Sequence, residues 1–201
     1  MGRQGGQQVA RGRPPSIDAA AVSLVAMRLF DTSGYDGTSM DDIAVAAGVS
    51  RRSLFRYFPV KAALIWDGFD PFFRVLDGRL ESSPIDRDVA SAIERCVVQS
   101  LLALGDDLRL ARIRLRILSS HPELRSFGSA GLLAVRDRLG RFVEERLQLP
   151  PRSLEAAALA DAATAALFAA LRYWAVDTTD ETPVNCVHRA MNALAGVFGS
   201  R

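Results

Sequence analysis

Five side chains within one short segment, Arg51, Arg52, Ser53, Arg56 and Tyr57, are the clearest candidates for chemistry in this chain. An arginine fork can donate two parallel hydrogen bonds to a guanine edge, and a neighbouring serine is small enough to allow close approach. Tyr57 adds a phenol able to bond a phosphate, so the chemistry on offer is recognition of double-stranded DNA rather than catalysis. The alternative is a solvated polar face with no partner. No other cluster competes. His121 and His188 stand alone and read as surface or capping residues. Cys96 and Cys186 have neither metal-ligand spacing nor the density of a disulfide framework. No nucleophile motif or phosphate-binding glycine loop is present, so no enzyme activity, metal or cofactor is expected.

The flanking sequence predicts the elements that hold these residues. Ser39 suits a helix N-cap, with Asp41 and Asp42 in the first turn where the helix dipole favours negative charge. Met40, Ile43, Ala44 and Ala47 make one apolar stripe, and Gly48 supplies a left-handed stop. Ser50 caps a second helix whose Leu54 and Phe58 point inward at i, i+4, and Pro59 ends it. The arrangement is a helix-turn-helix whose second helix presents the arginines. Thr38, Ser39, Tyr57 and Lys61 are expected to contact phosphates. Arg11 and Arg13, on a Gly/Gln/Arg-rich arm, are expected to reach a minor groove or phosphates, with simple disorder as the alternative.

These residues carry a resemblance to the TetR family of bacterial regulators. It rests on Gly34-Tyr35, Thr38-Ser39, Asp42-Ile43-Ala44, Ala47-Gly48-Val49-Ser50, Leu54-Phe55, Tyr57-Phe58 and Lys61 in fixed order. The chain departs from the pattern at Phe55, usually Tyr, and at Pro59-Val60, where Ser or Thr more often precedes the lysine. The resemblance implies a homodimer that represses transcription from a palindromic operator and is released by a small apolar effector. Trp66-Asp67-Gly68-Phe69-Asp70, with Arg51-Arg52-Ser53 and Phe55-Arg56-Tyr57-Phe58, also resembles the mycofactocin-system regulators within that family. That likeness implies a long-chain acyl-coenzyme A effector. Core packing alone is the other reading of Trp66, Phe69 and Phe73.

At 201 residues the chain can hold a small head and a larger bundle. The expected division is a flexible basic arm at 1–15, a DNA-binding domain at 16–60, and a ligand-binding and dimerisation domain at 61–201. Ser16 is the expected cap of a first helix carrying Val22, Val25, Ala26, Leu29 and Phe30. A long helix is expected over 61–82 with a bend near Asp70-Pro71, then helices near 86–104, 106–120, 123–148, 152–176 and 183–199. No segment alternates like a strand, so the fold class is all-α. Residues 1–61 hold eight of the 25 basic residues and five of the 23 acidic ones, so the positive balance falls on the arm and head. No uninterrupted apolar run reaches the roughly 18 residues of a membrane span, and the N-terminus has no signal-peptide core. A cytoplasmic protein without a membrane partner is expected.

Three expectations concern the bundle. An apolar tunnel is expected among Trp66, Phe69, Phe73, Val97, Leu101, Leu115, Phe142 and Phe168. Arg112 or Arg116, from the stripe Arg109, Arg112, Arg116, would sit near its mouth for the effector's phosphates. A solvated face is the plainer reading of that stripe. The alanine-rich segment 152–176 is expected to be buried all round. Val184, Val187, Met191, Leu194 and Phe198 form a coiled-coil-like seam, expected to build a four-helix dimer interface or, alternatively, an internal core. A regulator without a small ligand and a small all-α enzyme are the competing functions.

Overall fold

A computed structural model describes residues 17–84, 88–124, 129–177 and 180–198, and within them the chain is all-α. Helix α1 (Ala19–Ser33) starts where the Asp18 carboxylate accepts the Ala21 N–H at 3.0 Å. The cap is therefore Asp18; Ser16 lies outside the described residues. Helix α2 (Met40–Ala46) opens on a complete capping box: Ser39 Oγ accepts the Asp42 N–H, and Asp42 accepts the Ser39 N–H at 2.8 Å. These bonds to Ser39 also hold the Asp42 carboxyl below its ordinary range. Gly48, at φ +65°, turns the chain into α3 (Arg51–Tyr57), where Ser50 accepts the Ser53 N–H.

The expected long helix is two helices, α4 (Lys61–Asp67) and α5 (Asp70–Ser82), separated at Gly68-Phe69. Pro71 sits in the first turn of α5, where its missing N–H costs nothing. The bundle continues with α6 (Val89–Leu102), α7 (Asp107–Ser120), α8 (Ser129–Leu147), α9 (Leu154–Val176) and α10 (Pro183–Phe198).

Two cores organise the chain. The first joins Val22, Met27 and Phe30 of α1 to Ile43 and Leu54 of the helix-turn-helix. It does not end at residue 60: Leu64 and Ile65 of α4 and Ile113, Ile117 and Leu118 of α7 belong to it. The second is built by α5 to α10 and includes Leu115, from the same α7. Phe69, at the α4–α5 break, packs against both.

The last two helices correct the seam expectation. Val187 and Met191 are buried within this chain, where α10 packs on α9 and α6, so those residues form an internal core. The Phe198 side chain lies outside the described residues. Helix α9 is not buried all round either: Leu154, Leu159, Ala165, Ala169 and Tyr173 are exposed along one side. Among the described residues α9 is also the one helix long and apolar enough, by length and composition, to cross a membrane; it packs on α7, α8 and α10.

Candidate DNA interface and effector cavity

Helix α3 is anchored from beneath. Leu54 is fully buried and Phe58 nearly so, which leaves Arg51, Arg52, Arg56 and Tyr57 on the outer side of α3. Arg51 pairs with Asp41 of α2 at 3.2 Å, both side chains being more than half exposed, and lies over the Phe55 ring. Such an exposed pair is worth little and yields readily to a stronger acceptor. Arg56 stacks on Tyr57 at 5.2 Å. Ser53 is half-buried, and its oxygen accepts the Ser50 hydroxyl at 2.9 Å. Ser39 is exposed at the start of α2.

Two of the expected phosphate contacts are turned inward instead. Thr38 is buried and donates its hydroxyl to the Gly34 carbonyl at 2.8 Å, so it presents no donor at the surface. Lys61 donates to the carbonyls of Tyr35 and Thr38 at 2.5 and 2.9 Å and lies 4.0 Å from the centre of the Tyr35 ring. Burial pushes its pKa down, with Asp36 opposing. The single lysine of the chain thus fastens the α1–α2 loop to the start of α4. Arg11 and Arg13 lie outside the described residues.

Between the two cores lies a mostly apolar cavity of about 610 Å³, within the range of small-molecule sites. Seven of the expected residues line it: Trp66, Phe69, Phe73, Val97, Leu101, Leu115 and Phe168. Trp66, Phe69 and Phe73 form a run of aromatic contacts with centroids 5.6 and 6.3 Å apart, and Trp66 Nε1 donates to the Leu124 carbonyl. Three expected residues do not line it. Arg112 donates to the Asp177 carbonyl at 2.8 Å and covers the Trp174 ring, tying α7 to the end of α9. Arg116 is exposed, and Phe142 is core, under the Arg146 guanidinium. Arg109, on the same stripe, pairs with Asp31 of α1 at 3.1 Å.

The buried charged wall residue absent from the expected set is Arg114; Ser23, Asp67, Thr164 and Trp174 also line the cavity, with Asp18, Asp70, Arg74 and Asp107 at exposed positions. Arg114 is only 6% exposed. Its Nη2 donates to Ser23 Oγ at 3.1 Å, and its Nε has no partner. Burial lowers its pKa, while Asp67 and Asp107 favour the charge. Asp67 answers in kind: burial and Asp70 raise its pKa, and Arg114 opposes them. The guanidinium lies flat on Gly68, where an added Cβ would fall 2.0 Å from Cζ. A signal was available in the sequence. Arg114 has apolar residues at −4, −3, −1, +1, +3 and +4, the surroundings of a buried position.

A capped second helix with its cations outward, on a bundle enclosing a mostly apolar cavity, defines a helix-turn-helix regulator of transcription. The chain belongs to the TetR family: residues 24–65 match the bacterial regulatory proteins of that family, and residues 87–199 match the MftR C-terminal domain. A candidate mycofactocin biosynthesis transcriptional regulator, MftR of Mycobacterium tuberculosis, is 30% identical over 67% of this chain and 68% of its own. The regulator EthR of Mycolicibacterium smegmatis is 34% identical over 58% of this chain and 55% of its own. In fold, the chain is similar to the Thermus thermophilus repressor FadR solved with lauroyl-CoA, with a TM-score of 0.61 at 18% identity, covering 88% of this chain and 92% of that one. SmeT, repressor of a Stenotrophomonas maltophilia multidrug efflux pump, gives 0.64 at 18% identity, covering 89% of each.

Proposed function

We propose that this chain is a homodimeric repressor that leaves its operator when a long-chain acyl-CoA enters the cavity. The observation that carries the reading is the cavity's position. It lies between the two cores, walled by α1 and α4 on the head side and by α7 and α9 behind. A ligand there contacts both the supports of the helix-turn-helix and the bundle. If it binds better to a conformation with wrongly spaced heads, it lowers DNA affinity by that difference. The heads must meet major grooves about 34–36 Å apart.

In this reading Arg51, Arg52 and Ser53 read bases, while Ser39, Arg56 and Tyr57 hold phosphates. The exposed side of α9, rich in alanine, lets a second copy approach closely, so the dimer forms there. The relatives' names support the class of function, and the name of the Mycobacterium tuberculosis relative supports control of mycofactocin genes. Regulation of the cell's own DNA places the protein in the cytoplasm.

The test selects bound DNA from a random pool and titrates the complex with palmitoyl-CoA and with free CoA. Release by the ester alone, at about micromolar concentration or −8 kcal/mol, is expected; equal release by both ends the acyl reading. Ala165→Glu should give monomers in the ultracentrifuge and lose the operator. A variant that stays dimeric puts the interface elsewhere.

A further inference from the structure

Of the charged residues lining this mostly apolar cavity, Asp18, Asp70, Arg74 and Asp107 are exposed and Asp67 is half-buried; Arg114 is the one set deep in the wall, and that needs an explanation. Arg114 remains charged in proteins, is nine-tenths buried, and among the described residues has one neutral hydroxyl as its hydrogen-bond partner. Its Nε is left without any. Leaving a buried cation this poorly satisfied is costly unless another acceptor completes its bonding. No carboxylate oxygen of a described residue forms an ion pair with it; Asp67 and Asp107 act on it only at longer range.

The one partner it has is in a telling place. Ser23, itself 2% exposed, accepts from Arg114 and donates its own hydroxyl to the Leu64 carbonyl at 3.0 Å. This chain of two hydrogen bonds joins α7 of the bundle to α1 and α4 of the head. Helix α4 in turn begins at Lys61, which fastens the loop leading into α2. The guanidinium therefore touches the cavity on one side and the supports of the helix-turn-helix on the other.

We propose that Arg114 is the cavity's reader of the oxygen at the head of an acyl chain, and that reading it releases Ser23. A carboxylate or a thioester carbonyl entering between Trp66 and Phe69 draws the guanidinium off Gly68 and gives Nε its missing acceptor. The same movement breaks the bond to Ser23, and α1 and α4 lose their tie to α7. The aromatic and aliphatic wall holds the apolar chain without choosing its head, while Asp18, Asp70, Arg74 and Asp107 lie at exposed positions of the lining. The proposal rests on the effector reading above and adds the group that is recognised and the bond that responds.

Both tryptophans of the chain, Trp66 and Trp174, line the cavity, so intrinsic fluorescence reports occupancy while anisotropy of labelled operator reports release. The probes are dodecanoate, dodecanoyl-CoA and 1-dodecanol, against wild type, Arg114→Met, Arg114→Lys and Ser23→Ala. In wild type, either acyl compound should change the fluorescence and free the DNA, and 1-dodecanol should do so at least tenfold more weakly. Response to dodecanoate identifies a carboxylate, and response to dodecanoyl-CoA alone a thioester carbonyl. Arg114→Met should bind the effective acyl probe at least tenfold more weakly, with Arg114→Lys recovering part of the loss. Ser23→Ala should shrink the ratio of DNA affinities without and with ligand, and it keeps the proposal testable if Arg114→Met fails to fold. If wild type responds and Arg114→Met responds equally, or 1-dodecanol matches the acyl probes, the assignment of Arg114 is wrong while the effector reading stands. If wild type answers none of the three, the effector reading fails and takes this proposal with it.

Discussion

Helices α3 and α7 both carry arginines, and they use them in opposite ways. On α3 the core claims Leu54 and Phe58, and Arg51, Arg52 and Arg56 are what remains outside. On α7 three arginines also face outward or along the surface, where Arg109 pairs with Asp31 and Arg112 with a carbonyl. The fourth, Arg114, lies inside among Ile113, Leu115, Ile117 and Leu118. A residue proposed to read DNA must be exposed, so removing the core residues from the pattern exposes it. The residue proposed to read the effector lies within the core, where apolar periodicity describes packing and polar exceptions are easily overlooked.

The largest expected effect breaks the head's side of that contrast. Leu54→Ala removes a fully buried anchor of α3 and should cost about 2–5 kcal/mol, read by urea denaturation. A loss under about 1 kcal/mol would mean that α3 is not held from beneath as described. Next comes Lys61→Met. Two hydrogen bonds from a cation to loop carbonyls are lost, so stability should fall by about 1.5–3 kcal/mol with the salt dependence of DNA binding unchanged. Intact stability with a salt slope lower by about one unit would restore Lys61 as a phosphate contact.

Arg52→Ala should cost about 1–3 kcal/mol at a single operator position and little on random DNA. Equal weakening on both would make it a phosphate contact. The smallest effect concerns His121, which bonds Asp36 across from α7 to the α1–α2 loop at 3.2 Å. Burial works against its charge, but the Asp36 hydrogen bond and the Ile117 carbonyl outweigh burial and raise its pKa. A raised folded value gives stability that is whole below about pH 6.5 and is lost as pH rises through the folded pKa. The melting gap between wild type and Asp36→Asn should therefore be widest in acid and close toward alkaline pH. Asp36 is largely exposed, so the gap should be small.

Much of the head was readable in sequence because its signals are local. Ser39 with Asp42, Gly48, and Ser50 each act within four residues, and each is found where the spacing put it. What the spacing could not give is what comes from far along the chain. Lys61 looks like a free cation until carbonyls 26 and 23 residues earlier, in the α1–α2 loop, take its hydrogens; Thr38 is turned inward more locally, by the Gly34 carbonyl four residues back. In the bundle the aromatic wall was legible as a cluster of large apolar residues, and Trp66, Phe69 and Phe73 are in it. The phase of α7 was not: the i, i+3, i+7 stripe picked the outer arginines. The seam on α10 was seen correctly as a periodic apolar row, but periodicity does not say whether the neighbour is the same chain or another. Here it is α9 and α6 of the same chain.

The central claim is that cavity occupancy and operator binding exclude one another through a shared equilibrium. One titration tests it directly: palmitoyl-CoA added to the protein with and without saturating operator, following tryptophan fluorescence and DNA anisotropy in the same sample. Coupling between two sites is reciprocal, so operator should weaken the ligand by the same factor by which ligand weakens operator. The account predicts equal factors, of at least about fivefold. A fluorescence change that saturates at the same concentration with operator present, while anisotropy stays at its bound value, would contradict it.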